Sequence, residues 1–329
     1  MLFRPALMGL ALCLFPAIGP AEETVQPERT FSLRAAPRAE ARIYMAATAN
    51  PLATRVAADI LARGGSAADA AIAAQFMLNL VEPQSSGIGG GTFLLYWDAS
   101  DETLTSYDGR ETAPLAATPR YWLDETGEPM KFFDAVPGGR SVGVPGTLAA
   151  LEALHDAHGR LPWADLLAPA IELAETGFEV SPRLAKSIAA AQERGLTLFE
   201  PAKSYFFNPD GTPLAAGTVL KNPEFALTLR LIADAGAEPF YDGVLAGDIV
   251  AAIRHAGKNP GVMTREDFSR YQVILRPPVC VSYRVYEVCG MGPPSSGGLT
   301  VGQILKLLEP FDLAALGDTA ETWHLFAEA

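Results

Sequence analysis

Between residues 50 and 82 the apolar positions follow a helical period. Leu52, Val56 and Ile60 recur every four residues behind Asn50 and Pro51, and the run halts at Gly64 and Gly65. A cap, a first-turn proline and a glycine stop therefore frame one helix. Ser66 opens a second, with Asp69 three residues on as its capping partner, and the following run AAIAAQFMLNLV is apolar on every face. Such a helix belongs in the middle of a molecule. Past Pro83 the helical pattern stops: SSGIGGG (85–91) has no period, and TFLLYWD and TLTSYDGR read as two strands joined over ASDE. That is a hairpin signal. Further on, helical patterns run over 146–158, 163–176, 182–192, 223–235 (capped by Asn222, stopped by Gly236), 244–256, 265–271 and 298–308. Thr319 caps a last one, TAETWHLFAEA, which shows no stop signal, so the chain is expected to end within a helix. No segment repeats at a fixed period, which excludes solenoids and propellers. Helices packed around a few strands predict an α/β or α+β layered fold.

The amino end departs from this pattern. Arg4, an apolar stretch from Ala6 to Ile18, and small residues at Gly19 and Ala21 read as a secretory signal peptide over 1–21. Its apolar core is shorter than the roughly 20 residues that span a bilayer, and no later segment is apolar enough to try. Residues 22–42 are polar, with Pro27 and Pro37, and read as an extended lead-in to a folded part over 43–329. The mature chain is expected to be secreted or periplasmic.

Composition narrows the functional classes. With 49% hydrophobic and 19% charged residues the chain can bury a sizeable core, which excludes disorder as its main state. A net charge of -13 and the absence of any Lys/Arg run argue against a nucleic-acid partner. Removing the signal leaves Cys280 and Cys289, in two short strands of PPVCVSYRVYEVCGMGPP. A two- or four-residue loop centred on Arg284 and Val285 sets these cysteines opposite each other, in reach of a cross-strand disulfide. A three-residue loop puts them out of register as free thiols, and both readings stay open. A structural zinc site is disfavoured, since it takes four ligands and no histidine lies nearby.

Taken singly, the chemical candidates are weak. SSGIGGG lacks the Lys-Ser or Lys-Thr of a phosphate loop, and Thr92 breaks the GxGxxG pattern, so its glycines signal close backbone approach. In PPSSGG (293–298) no serine is flanked by glycines two residues away on both sides, which excludes a hydrolase nucleophile elbow. Glu152 and His155 give one ExxH spacing, where a di-iron site needs two and further carboxylates, so His155 and His158 are read as solvated helix-end histidines. Arg110, beside Asp108 and Glu111, reads as a surface ion pair.

Together, the longer words resemble a family. ANPLATRVAADILARGGSAADAAIAAQFMLNLVEPQSSGIGGGTFLLYWD, YDGRETAP, VGVPGTLAALEALHDAHGRLPW, PAIELAETGF, LKNPEFALTLRLIADAG, FYDGVLAGDIVAAI, MTREDFSRYQV and PPSSGGLTVGQILKLLE are similar, in this order, to the large-subunit half of gamma-glutamyltransferases. The resemblance runs from about Ile43 to the last residue. It implies an α+β fold, the αββα sandwich of N-terminal-nucleophile hydrolases, here its large-subunit part. It also implies a precursor that cuts itself to expose a Thr, which takes the gamma-glutamyl group from glutathione or related amides and passes it to water or an acceptor amino acid. No metal or organic cofactor is implied.

The resemblance makes Arg110 the ligand of the glutamyl alpha-carboxylate, with Glu111 as a second candidate that orients Arg110 or meets the glutamyl amine. It leaves the glycines at 87–91 and 297–298 as close-packing backbone. The nucleophile of the family opens a Thr-Thr-His type word, and this chain has no Thr-Thr pair. The sequence is therefore expected to stop before the nucleophile, to lack its small-subunit partner and to be inactive alone. Two alternatives share these words: a cephalosporin acylase acting on a glutaryl amide, and a truncated, non-catalytic remnant.

Overall fold

A computed structural model of the protein describes residues 38–329. The expected signal peptide and residues 22–37 of the lead-in lie outside the described residues.

The two opening helices form as the pattern predicts. In α1 (Pro51–Ala62) the Asn50 side chain accepts from the Leu52 N–H at 3.0 Å, and the turn after the helix passes through Gly64 at φ +89°. In α2 (Ala67–Val81) Ser66 and Asp69 close a reciprocal capping box, and 11 of the 15 residues are buried. Asp69 does more than cap. Its carboxylate, fully buried, also accepts from the Arg160 and Leu161 N–H groups at 3.0 and 3.2 Å. The cap of the central helix is thereby welded to the loop between α3 (Thr147–His158) and α4 (Trp163–Thr176).

Around α2 pack α1, α3 and α4, and α4 in turn carries α6 (Pro223–Ala235), leaving α5 (Pro182–Gln192) further out. Asn222 caps α6 through the Phe225 N–H at 2.9 Å, and the helix stops at Gly236 (φ +68°). The core is built from Ile60, Ile72, Phe76, Leu80, Leu148, Leu151, Leu166 and Leu167, all essentially inaccessible. Each side chain buried to this degree contributes about 1.5–3 kcal/mol relative to exposure.

The hairpin is also present. Strands β1 (Thr92–Asp98) and β2 (Thr103–Gly109) pair antiparallel from Thr92↔Gly109 to Asp98↔Thr103. A strand the pattern did not reveal, β3 (Ile274–Arg276), lies on the other side of β2, with Asp108 facing Ile274 and Ser106 facing Arg276. It follows α7 (Val244–Arg254) and the short α8 (Arg265–Ser269), both of which end two residues before the sequence pattern suggested. Three residues carry no measurable period, so only the ladder defines β3. Its neighbours place Arg276 and Tyr271 beside the end of β2.

A second hairpin joins β4 (Val279–Tyr283) and β5 (Tyr286–Gly290) through the two-residue loop Arg284-Val285, with Arg284 at φ +55°. Cys280 thus faces Cys289, and the two form a disulfide, which settles the alternative left open by the sequence. Against this hairpin packs α9 (Gly297–Leu308), where Gly302 leaves room for Val281, and α10 (Ala320–Glu328) follows, capped by Thr319.

The histidine reading needs correction. Neither residue is a solvated helix end: His158 stacks on Tyr96 of β1 at 3.9 Å between ring centroids, with its Nδ1 3.8 Å from Asp98. His155 shares a 2.9 Å hydrogen bond with the Leu161 carbonyl and meets Trp163 edge-on. Helix period alone could not show that a strand crosses the end of α3. Among the described residues no helix is long and apolar enough to cross a membrane.

Candidate functional site

A cavity of about 700 Å³, open on one side, lies where the glycine loop, the start of β1 and the end of β2 meet. Its wall holds Gly87, Gly89, Gly90 and Gly91, with Ser85 and Ser86 before them, Arg110 and Glu111 opposite, Gln75 from α2, and Thr147 from the start of α3. Of the glycines predicted to pack closely, Gly90, Gly91 and Gly298 do so, whereas a Cβ would meet nothing nearer than 3.9 Å at Gly87 and nothing within 4 Å at Gly89; all four glycines of the loop line this space. A Cβ on Gly91 would sit 2.3 Å from the Glu111 carboxylate, and the Gly90 carbonyl accepts from both the Gly146 and Thr147 N–H groups at 3.0 and 3.1 Å.

The loop leading into the glycines is braced from below. Glu82, at the end of α2 and almost fully buried, accepts from Asn50 Nδ2 at 2.8 Å and from an Arg183 terminal nitrogen at 2.9 Å. Arg183 also donates to the Ser85 hydroxyl at 3.2 Å. A buried carboxylate held by both a charged and a neutral donor anchors this end of the loop. Ser86, Gln75 and Asn79 close a ring of three hydrogen bonds of 2.7 Å on the cavity floor.

Arg110 leaves β2 at the cavity wall with 58% of its side chain exposed. Its Nε lies 3.4 Å from Glu111 Oε2, and its guanidinium stands 5.8 Å from the Phe93 ring centroid. Among the described residues the two terminal guanidinium nitrogens have no partner. Two coplanar donors of this kind match the two oxygens of a carboxylate. The surface ion pair read from the sequence is therefore half right. Glu111 takes part, but the Asp108 carboxylate is engaged by Arg276 Nε at 2.7 Å and by the Arg110 backbone N–H at 3.1 Å.

Two further groups at the site were not legible locally. The Tyr271 hydroxyl donates to the Arg110 carbonyl at 2.8 Å, and Thr147 is buried against the cavity. Burial, then the negative charges of Asp108 and Glu111, push the Tyr271 phenol up to about 12, so the hydroxyl keeps its proton. The signal that could have found Tyr271 is tertiary: β3 must pair with β2 for the residue to arrive at Arg110.

Among the described residues, the one group of Cys, His, Asp and Glu side chains close enough to share an ion is Cys280, Glu287 and Cys289, whose sulfurs are joined to each other. A thiolate is what a soft metal binds, and neither sulfur offers one in this state.

Comparison with known proteins agrees with the sequence words. Residues 53–329 match the family described as Gamma-glutamyltranspeptidase. The chain is 40% identical over 285 residues to the glutathione hydrolase proenzyme of Bacillus subtilis (strain 168), covering 86% of this chain and 48% of that protein. It is 38% identical over 294 residues to the Acylase ACY 1 proenzyme of Pseudomonas sp. (strain V22), covering 87% of this chain and 51% of the other. The solved structure of Helicobacter pylori gamma-glutamyltranspeptidase superposes with a TM-score of 0.83 at 36% identity, over 89% of this chain and 82% of that one. The chain spans about half the length of the curated relatives it matches.

Proposed function

Since the chain belongs to the gamma-glutamyltranspeptidase family, we propose that it supplies the carboxylate-holding half of an enzyme that moves the gamma-glutamyl group of glutathione and related amides to water or an acceptor amino acid. Its fold is the large-subunit part of the α+β N-terminal-nucleophile hydrolase sandwich. The carrying observation is Arg110, whose terminal nitrogens have no partner among the described residues at the wall of a cavity while its Nε stands 3.4 Å from Glu111 Oε2.

In this reading the alpha-carboxylate of the glutamyl group takes the two terminal nitrogens of Arg110, and Glu111 holds the guanidinium plane. Glu111 also offers a negative charge to the glutamyl ammonium. A Thr at the start of a second segment attacks the gamma-carbonyl, its own amine accepting the hydroxyl proton. Backbone N–H donors stabilise the tetrahedral oxyanion, and its collapse expels the amine with that proton and leaves a glutamyl ester on the Thr. Water or an acceptor amine then displaces the Thr oxygen, which recovers its proton. The Thr and the oxyanion donors lie outside these 329 residues in this reading, so the chain alone is inactive, and it works outside the cytoplasm.

Three anilides test the assignment on the product of the complete reading frame. Gamma-glutamyl anilide carries both alpha groups, glutaryl anilide only the carboxylate, and 4-aminobutyryl anilide only the amine. The expected result is a strong preference for the first over the third, with Arg110→Ala lowering kcat/KM for the first by about 10- to 100-fold and leaving the third unchanged, the scale of charge-assisted hydrogen bonds. An unaltered preference in the variant rejects the role of Arg110. The similarity to Acylase ACY 1 keeps one second reading alive, a glutaryl amidase, and glutaryl anilide turning over faster than gamma-glutamyl anilide would favour it.

A further inference from the structure

We propose that Tyr271 is a positioning residue for substrate recognition, holding the main chain of Arg110 so that its guanidinium meets the substrate carboxylate in one fixed direction. The proposal rests on the reading of Arg110 given above and adds to it a residue 161 positions away in sequence.

The Arg110 Cα is gripped on both sides. Its N–H donates to Asp108 Oδ1 at 3.1 Å, and Asp108 is itself held by Arg276. Its carbonyl accepts from the Tyr271 hydroxyl at 2.8 Å. With both flanking groups held, the two backbone torsions of Arg110 are fixed, and so is the direction in which the side chain departs. That matters because Arg110 sits one residue past the end of β2, where the ladder no longer restrains it.

The tyrosine is in turn immobilised. Its ring stacks on Tyr241 with centroids 5.7 Å apart and planes 14° from parallel. The Tyr241 hydroxyl donates to the Pro145 carbonyl at 2.9 Å and accepts from the Ala149 N–H at 3.2 Å, which locks that ring to the start of α3. Space for the Tyr271 hydroxyl comes from Gly146, where a Cβ would lie 1.9 Å from the oxygen. The same Gly146 donates its N–H to the Gly90 carbonyl of the cavity wall. One rigid unit therefore joins the tyrosine pair, the glycine loop and the carboxylate ligand.

A carbonyl on a partly open surface can be satisfied by water, so satisfaction alone does not call for a tyrosine. What a stacked phenol adds over water is a fixed position. Preorganised groups of this kind improve binding by lowering the ordering cost at the moment of association.

The test is Tyr271→Phe in the product of the complete reading frame, which keeps the ring and removes only the hydroxyl. The readouts are KM and kcat for gamma-glutamyl and 4-aminobutyryl anilide, with Arg110→Ala in parallel. The proposal expects KM for gamma-glutamyl anilide to rise by about threefold to tenfold, the scale of one net hydrogen bond, with kcat within about twofold and the 4-aminobutyryl KM unchanged. An equal rise for both substrates, no rise for either, or a variant that does not accumulate would each overturn it, because each assigns the hydroxyl a general structural role or none. If Arg110→Ala keeps the substrate preference, the reading of Arg110 has failed. If Arg110→Ala loses it and Tyr271→Phe does not, only the role of Tyr271 has failed.

Discussion

Arg110 takes its geometry from residues that are remote in sequence, and its immediate neighbours alone misled the reading of it. Asp108 looked like its ionic partner, yet that carboxylate belongs to Arg276, and of the two acidic neighbours only Glu111 bears on the guanidinium. A word such as DGRE can mark a substrate ligand, but it cannot reveal which neighbour is already committed. The phenol of Tyr271 supplies a check at this scale. Its ionisation is raised from the ordinary 10 to about 12 because the folded site desolvates it and places Asp108 and Glu111 nearby. The sign follows: a group whose proton is held more tightly when folded contributes stability that is complete below about pH 10 and is lost as pH rises through about 12. Phenolate absorbance should therefore show a step near pH 12 that Tyr271→Phe lacks, and a missing step near pH 10 instead would contradict the burial. Gly146 gives another check. Ala there would place its Cβ 1.9 Å from the Tyr271 hydroxyl oxygen and 2.2 Å from the Gly109 carbonyl oxygen. Overpacking against backbone costs about 1–3 kcal/mol, so Gly146→Ala should melt several degrees lower.

Helices were legible wherever a cap, an apolar pattern and a stop signal agreed, and α1, α2 and α6 follow those signals closely. The disulfide was legible as one of two registers, and the two-residue loop decided it. What escaped were elements too short to carry a period: β3, the helical segment Glu200–Phe206, and single turns such as Phe132–Ala135 and Glu238–Tyr241. Those are defined by tertiary pairing and packing, which a local pattern does not contain. Asp69 shows how much one cap can do beyond its own helix. Asp69→Ala removes the α2 capping box and leaves the Arg160 and Leu161 N–H groups without their acceptor, so chemical denaturation should report a loss of about 2–4 kcal/mol. A loss below about 0.5 kcal/mol would mean that the α3–α4 loop does not depend on it. Reduction of Cys280–Cys289 acts on a different element. Hydrogen exchange should accelerate in β4 and β5 while α2 and α4 keep their protection, since the disulfide closes only a nine-residue separation within one hairpin.

At the scale of the molecule, the sheet β1-β2-β3 has two outer edges with no strand beside them among the described residues. Strand β1 is apolar on both faces: Leu94 and Tyr96 pack on the core, while Leu95 and Trp97 are exposed, as are Ile274 and Leu275 on β3. A strand with two apolar faces is built to be covered on both. Its exposed face is an association hazard in isolation. The 329-residue chain alone should accordingly bind a hydrophobic dye and self-associate in sizing experiments, and a monodisperse, dye-negative monomer would count against a covering second half. In the proposed function the same division sets the chemistry. This chain holds Arg110, the glycine loop and the Tyr271 brace, and the reading places the nucleophile in a segment beyond it. The most direct measurement is anilide release from gamma-glutamyl anilide by the purified 329-residue chain. The account predicts no release above the uncatalysed rate and no acylated residue; turnover, or a burst that leaves a glutamyl group on any residue of this chain, would contradict it.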